Sequence, residues 1–230
     1  MALVNKGSLM YKVSIFILLT YLLSFELLAN NIFTSFPKAI DKNGKYVFYS
    51  HGYGVEGSDP TPVHERWGIY DFPKVKEALS DVDYNLIAYH RPSKTEPIQF
   101  AKKIAEEVRT LISAGVKPSS IFLLGFSKGG GISIRASNEL KSNNVNLIIM
   151  AACTGPIKSE KDIKVFGNVL SIYEISDTVK SCLFLKNRSE QLKSFSEISI
   201  NTGKGHGAFY TPLKDWIQPI KKWIKTTNNG

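Results

Sequence analysis

The chain has 230 residues, a formal net charge of +9 and a hydrophobic fraction of 43%. This length is enough for one substantial domain and too short for two good ones once a leader is removed. The lysines are scattered, and no basic stripe is interleaved with aromatic residues, so the charge favours a soluble surface over a nucleic-acid-binding face. An anionic substrate or a cell-envelope partner is the remaining interpretation of the charge.

The first 29 residues have the pattern of a secretory leader. Lys6 and Lys12 precede an apolar run over residues 13–25, and Leu-Leu-Ala follows at residues 27–29. Glu26 interrupts the run, which is therefore shorter than the about 20 apolar residues that a membrane span needs. We predict a signal peptide over residues 1–29, with an uncleaved membrane anchor as the alternative, and a single domain over residues 30–230. The mature protein would be periplasmic or secreted.

From residue 45 onward, short β-branched or aromatic runs alternate with longer amphipathic segments. The runs predict strands over residues 45–50, 84–90, 120–124, 145–151, 169–175 and 194–200. The amphipathic segments predict helices over residues 72–80, 97–114, 128–141 and 212–225. This alternation favours a mainly parallel sheet with helices on both faces. Two long connections, residues 52–71 and 153–168, would lie at the carboxyl ends of strands, where open parallel sheets bind ligands.

Residues 125–129 read Gly-Phe-Ser-Lys-Gly and match the pattern G-x-S-x-G. The motif follows a predicted strand directly and opens a helix rich in small residues, which is the strand–turn–helix setting that this pattern requires. In so tight a turn, Ser127 is expected to take a strained backbone conformation that exposes its hydroxyl above the sheet. The alternative is a glycine-rich turn that only packs.

Four features in sequence order resemble the α/β-hydrolase superfamily: HGYG at residues 51–54, GFSKG at 125–129, an aspartate after a late strand, and a histidine before the last helix. The resemblance spans residues 45–225 and is closest to small exported bacterial serine hydrolases of undefined substrate. It implies a three-layer α/β-hydrolase fold in a minimal version with about six mostly parallel strands. No helical insertion is large enough to form a lid.

The resemblance implies a Ser–His–Asp triad in which a base activates the otherwise poor serine nucleophile. The family order is serine, acid, histidine, and of the four histidines only His206 follows Ser127. His206 lies in a glycine-rich loop before the closing helix. Asp177, just past the strand of residues 169–175, would hold the imidazole tautomer. Its competitor Glu174 lies inside the strand.

The resemblance also implies an oxyanion hole made by the backbone N–H groups of Lys128, after the nucleophile, and Tyr53, after the first predicted strand. Weaker candidates for substrate binding lie near the same rim: His51, Arg66, Trp67, Tyr70 and His90. Packing of these side chains against the body of the domain is the alternative.

Cys153 and Cys182 are the only two cysteines. In an exported protein an even count favours one disulfide, with two unpaired thiols as the alternative. The cysteines lack the spacing of a metal site, so we predict no metal, and acyl transfer requires no cofactor.

Together these features predict a carboxylesterase-like serine hydrolase that cleaves a small-molecule ester through an acyl-enzyme. We predict no nucleic-acid partner, and membrane contact only through an uncleaved leader. A thioesterase, amidase or lipase on the same machinery is the alternative, as is a non-catalytic binding protein with the same fold. An envelope structural protein that uses its basic surface is a further alternative. No substrate identity or oligomeric state is predicted.

Overall fold

The computed structural model describes residues 31–227, so the predicted leader over residues 1–29 lies outside the described residues. The strands are β1 (Ile32–Phe33), β2 (Tyr46–Ser50), β3 (Val63–His64), β4 (Gly68–Ile69), β5 (Asn85–Ile87), β6 (Ile121–Phe126), β7 (Asn146–Met150), β8 (Gly167–Glu174) and β9 (Leu192–Ile200). The α-helices are α1 (Phe72–Leu79), α2 (Pro97–Ser113), α3 (Lys128–Leu140), α4 (Gly155–Ser159), α5 (Leu183–Arg188) and α6 (Lys214–Thr226). Among these helices, none combines the length and the apolar character that crossing a membrane requires.

Seven strands form one sheet in the order β1-β5-β2-β6-β7-β8-β9. Every pair of neighbours in this sheet is parallel. The predicted α/β fold is therefore confirmed, but the expected count of about six strands omitted β1. That strand has only two residues, which is too short to produce a periodic pattern. β3 and β4 form a separate antiparallel hairpin between β2 and α1.

Alternate residues of the central strands enter two hydrophobic layers, one on each face of the sheet. In β2, Val47 and Tyr49 face the layer that contains Phe72 of α1 and Trp216 of α6. Tyr46 and Phe48 face the opposite layer, with Ile104 and Val108 of α2 and Ile134 of α3. Burial on both faces explains why the central strands are almost continuously apolar.

Helix α3 approaches the sheet closely where it begins. A Cβ atom added at Gly129 would lie 2.0 Å from the carbonyl oxygen of Ser50, and one added at Gly130 would lie 2.4 Å from the Cβ atom of Ala152. A Cβ atom at Gly125 would lie 2.3 Å from the carbonyl oxygen of Gly129. These three glycines therefore permit the turn between β6 and α3 to sit against the neighbouring strands.

A disulfide joins Cys153, after β7, to Cys182, immediately before α5. The two Cα atoms lie 5.5 Å apart and the cysteines are separated by 29 positions in the chain. Both side chains are buried. The bond therefore fastens the segment after β8 to the segment after β7.

Gly129→Ala is expected to lower the free energy of unfolding by about 3 kcal/mol or more, or to prevent folding, because the new methyl group meets rigid backbone. Gly131→Ala is the matched control, since its nearest neighbour would be the Arg135 Nη1 atom at 3.6 Å. In that variant alanine's better helix propensity should leave stability unchanged or raise it by up to about 1 kcal/mol. Urea unfolding measures the free energy of unfolding of both variants. Equal effects of the two substitutions would contradict the packing described for α3.

Replacing both cysteines by alanine is expected to lower the free energy of unfolding by about 3–4 kcal/mol, because the open chain gains conformational entropy when unfolded. Urea unfolding of the oxidised wild type and the double variant measures the difference. As the control, a reducing agent should destabilise the wild type and leave the double variant unaffected. If the wild type, kept under oxidising conditions, is no more stable than the double variant, the bond is not formed.

Candidate active site

Ser127 occupies the turn between β6 and α3 with φ +53° and ψ −121°. A positive φ in a residue with a Cβ atom costs on the order of 1–3 kcal/mol and persists only where the surroundings impose it. Two backbone hydrogen bonds help to hold Ser127 in this conformation. The Ser127 N–H donates to the Met150 carbonyl at 2.9 Å, and the Gly131 N–H donates to the Ser127 carbonyl at 3.0 Å. The predicted strained turn is therefore present, and it lies at the carboxyl end of β6.

The side chains of Ser127, His206 and Asp177 form a chain of hydrogen bonds. His206 Nε2 lies 2.8 Å from Ser127 Oγ. On the other side of the ring, Nδ1 lies 2.6 Å from Asp177 Oδ2. A carboxylate only accepts, so Nδ1 carries the proton of the neutral ring and Nε2 is left to accept the proton of the serine hydroxyl.

Asp177 follows β8 and is almost fully buried. Its Oδ1 atom accepts a hydrogen bond from the Val179 N–H at 3.1 Å. Burial alone would raise the pKa of Asp177, but the hydrogen bond with His206 and backbone donors outweigh burial and hold that pKa below its usual value. Asp177 is therefore ionised at neutral pH and can orient the imidazole.

Glu174, the competing acid, has a structural position at the end of β8. Its buried carboxylate accepts hydrogen bonds from the N–H and hydroxyl groups of Ser176 and from the N–H and hydroxyl groups of Thr202, all within 3.1 Å. Ser176 Oγ in turn accepts from the Gly205 N–H at 3.0 Å. Glu174 thus joins the loop that carries Asp177 to the loop that carries His206.

The loop after β2 rests on His51 and Tyr70. His51 Nε2 accepts a hydrogen bond from the Arg91 N–H at 2.9 Å, so Nδ1 carries the proton and donates to the Gly52 carbonyl at 2.7 Å. Burial, together with the charge of Arg91, lowers the pKa of His51 to about 2, and the ring is neutral. The Tyr70 hydroxyl accepts from the Gly52 N–H at 3.0 Å.

Two of the weaker predicted substrate contacts, His51 and Tyr70, are therefore wrong, because a fully buried side chain cannot touch substrate. His51 and Tyr70 are 0% and 1% exposed, because both lie beneath the loop and hold its backbone. His90 Nε2 lies 2.7 Å from the Val55 carbonyl oxygen, and its ring packs against Phe72. All three side chains support the loop and line neither of the grooves at the triad.

Tyr53 and Lys128 lie on two segments that an ionic bridge joins. Lys128 Nζ lies 2.8 Å from Glu56 Oε2 and 5.3 Å from the centre of the Tyr53 ring. The other carboxylate oxygen of Glu56 accepts from Arg91 Nε at 3.2 Å. This bridge links the loop of Tyr53 to the first turn of α3. Glu56 was not among the predicted site residues, because a pairing across 72 positions leaves no local pattern in the sequence.

Two grooves that share no lining residue open beside the triad. The Ser-side groove, about 370 Å³, is lined by Ser127 and Lys128 and by mainly apolar walls that include Pro97, Ile98 and Ile157. The His-side groove, about 710 Å³, is lined by Arg66, Trp67, Ile69, Lys204, Gly205 and Gly207. Gly205 and Gly207 flank His206, and the Trp67 ring centre lies 5.4 Å from that of His206. Arg66 and Trp67 therefore lie beside the triad, on its histidine side.

Between residues 31 and 227, no group of three or more His, Cys, Asp or Glu side chains could hold a metal ion.

Glu174→Gln is expected to lower the free energy of unfolding at pH 7 by about 2–3 kcal/mol, because the amide loses the charge that strengthens four hydrogen bonds and cannot accept all of them. The folded-state pKa of Glu174 lies below its usual value: burial raises it, but the bonds from Thr202 and Ser176 outweigh burial. Its contribution is thus complete above the unfolded-state pKa of about 4.3 and is lost as pH falls through the folded-state pKa.

Urea unfolding of wild type and variant across this pH range measures the difference, which should narrow as pH falls. Glu190→Gln, at a side chain that is 85% exposed, is the control and should change stability by less than about 0.5 kcal/mol. A difference between wild type and Glu174→Gln that is small at pH 7, or that widens in acid, would contradict this role.

Comparison with known proteins identifies the family. Residues 89–227 match the model of the phospholipase/carboxylesterase family. Similar solved structures include Arabidopsis thaliana SOBER1, with 16% identity over 80% of this chain and 99% of that chain and a TM-score of 0.51. XC6422 of Xanthomonas campestris, described as an α/β serine hydrolase without a lid, is similar at 15% identity over 83% of this chain and 84% of that chain, with a TM-score of 0.51.

A monoacylglycerol lipase of Paleococcus ferrophilus is similar at 16% identity over 82% of this chain and 98% of that chain, with a TM-score of 0.55. At such identities these structures show the fold alone. No curated protein matches the chain. The family match covers more than half of the sequence, and the chain therefore belongs to the phospholipase/carboxylesterase family of α/β-hydrolases.

Proposed function

We propose that the protein is a serine esterase that transfers the acyl group of a carboxylic ester to water. The observation that carries the proposal is the hydrogen-bonded chain from Ser127 Oγ through His206 to Asp177. It combines a nucleophile, a base in reach of its proton and a carboxylate that orients the base, which is the arrangement that acyl transfer requires. Membership of a hydrolase family supports the same reaction class.

In the proposed reaction, His206 Nε2 takes the hydroxyl proton as Ser127 Oγ attacks the ester carbonyl carbon. The ionised Asp177 stabilises the imidazolium that forms. The backbone N–H groups of Tyr53 and Lys128 would hold the oxygen that becomes negative, in a loop arrangement fixed by the Glu56–Lys128 ion pair. His206 then returns its proton to the leaving alcohol, and the acyl group stays on Ser127. A water molecule, deprotonated by His206, releases the carboxylic acid and restores the serine.

The walls of the site favour a small or easily accessible acyl group. The Ser-side groove has a volume of about 370 Å³ and apolar walls, which suits a short acyl chain more than a long one. Within residues 31–227 no helical insertion of the size of a lid stands above the triad. The lidless serine hydrolase XC6422, which has a similar fold, supports an open site.

We further propose that the enzyme works outside the cytoplasm, as the pattern of residues 1–29 predicts. The Cys153–Cys182 disulfide supports this proposal, because such bonds persist in oxidising compartments and are rare in the cytosol.

Hydrolysis of nitrophenyl esters with acyl chains of graded length tests the esterase proposal. We expect turnover that declines as the acyl chain lengthens, and a loss of kcat by a factor of about 10⁵ or more in both Ser127→Ala and His206→Ala. Ser113→Ala, an exposed serine at the end of α2, is the control and should keep the wild-type rate.

Three outcomes would contradict the proposal. Wild-type rates of ester hydrolysis in Ser127→Ala would show that Ser127 is not the nucleophile. Turnover of matched thioesters or anilides, but not of esters, would assign a thioesterase or an amidase. No turnover of any of these substrates by the folded protein would favour a non-catalytic binding protein.

A further inference from the structure

The two grooves beside the triad differ in which part of an ester each can receive. In acyl transfer the histidine returns its proton to the leaving alcohol, so the alcohol must lie on the side of the imidazole. Gly205 and Gly207, on either side of His206, line the His-side groove, whereas Ser127 itself lines the Ser-side groove. If the protein is the proposed esterase, the alcohol part of the ester therefore binds in the His-side groove and the acyl part binds in the Ser-side groove.

The positive charges of the two grooves are compensated differently. In the Ser-side groove, Lys128 pairs with Glu56 and Arg135 pairs with Glu160. In the His-side groove, Arg66 and Lys204 are exposed, and the lining contains no carboxylate. Among residues 31–227, neither of these two cations forms a salt bridge. The uncompensated charge is therefore concentrated on the side of the leaving alcohol.

The same groove offers an apolar surface beside these charges. Trp67 lines it and is held in place by His64, whose ring stacks on the indole with centroids 4.2 Å apart. A Cβ atom at Gly207 would lie 2.6 Å from the Trp67 Cβ atom, so the His206 loop packs directly against this tryptophan. Ile69, which is 53% exposed, adds a second apolar contact on the hairpin of β3 and β4.

We propose that the His-side groove selects esters whose alcohol carries both an apolar ring and an anionic group. Trp67 and Ile69 contact the ring, and Arg66 and Lys204 attract the anion. Arginine provides a planar pair of donors that matches a carboxylate, and lysine adds a point charge. Because both cations are exposed, their effect lies in substrate capture, and it weakens at high ionic strength.

Two acetate esters with the same acyl group test the inference: 4-acetoxybenzoate, whose leaving alcohol is anionic, and neutral 4-acetoxybenzamide, which also contains a single ester bond. The measured quantity is the ratio of kcat/KM for the anionic ester to that for the neutral ester, each divided by its rate of hydrolysis by hydroxide. We expect a ratio of about five in the wild type at low salt. In Arg66→Gln/Lys204→Gln the ratio should fall to about one, mainly through KM of the anionic ester.

Lys102→Gln/Lys222→Gln is the matched control, since it also removes two exposed positive charges but lies on α2 and α6, outside both grooves. Its ratio should equal that of the wild type. Raising the salt concentration from about 0.01 M to about 1 M shortens the screening length from about 30 Å to about 3 Å and should bring the wild-type ratio toward one.

A wild-type ratio near one, or a ratio that the Arg66 and Lys204 substitutions leave unchanged, would overturn this inference while leaving the esterase proposal intact. An equal fall in the control would assign the effect to the overall charge of the protein and would also overturn it. Failure to hydrolyse either ester, together with every nitrophenyl ester, would instead overturn the esterase proposal on which it rests.

Discussion

His206 must reach back across two strands to meet Ser127, and the site depends on this reach. Ser127 follows β6 and His206 follows β9, with β7 and β8 between them. At about 4.8 Å between neighbouring strands, the two strand ends lie roughly 14 Å apart. Asp177, which follows β8, orients the imidazole ring through its hydrogen bond to Nδ1. The four hydrogen bonds to Glu174 fix the two loops to each other. The buried carboxylate within the strand therefore positions the acid and the base.

On the nucleophile side, the geometry depends on glycines, whose lack of a side chain lets the backbone segments pack closely. The positive φ of Ser127 is maintained because Gly125, Gly129 and Gly130 allow α3 to press against β2 and β7. The neighbouring loop of Tyr53 is held by buried groups from other parts of the chain, among them Tyr70 and Arg91. One half of the site is thus held by close backbone packing and the other by hydrogen bonds.

The sequence predicted what depends on local pattern and missed what depends on distant pairing. Strands and helices with long periodic patterns were found to within a few residues, whereas β1, α4 and α5 have six residues or fewer and no clear period. Ser127 was selected from its motif and the strand before it, and Asp177 and His206 from the order and positions that the α/β-hydrolase resemblance implies. The bridge from Glu56 to Lys128 could not be predicted, because its partners are 72 positions apart. His51 and Tyr70 were placed in the correct region and given the wrong role, since burial cannot be inferred from a loop motif.

The central claim, that side chains following three different strands act together on one acyl group, is tested most directly by a fluorophosphonate probe that reacts only with an activated serine. Peptide mapping by mass spectrometry locates the adduct. We expect one adduct, on Ser127, that is absent in Ser127→Ala and forms far more slowly in His206→Ala. A folded wild-type protein that takes no label, or that carries the label on another residue, would contradict it.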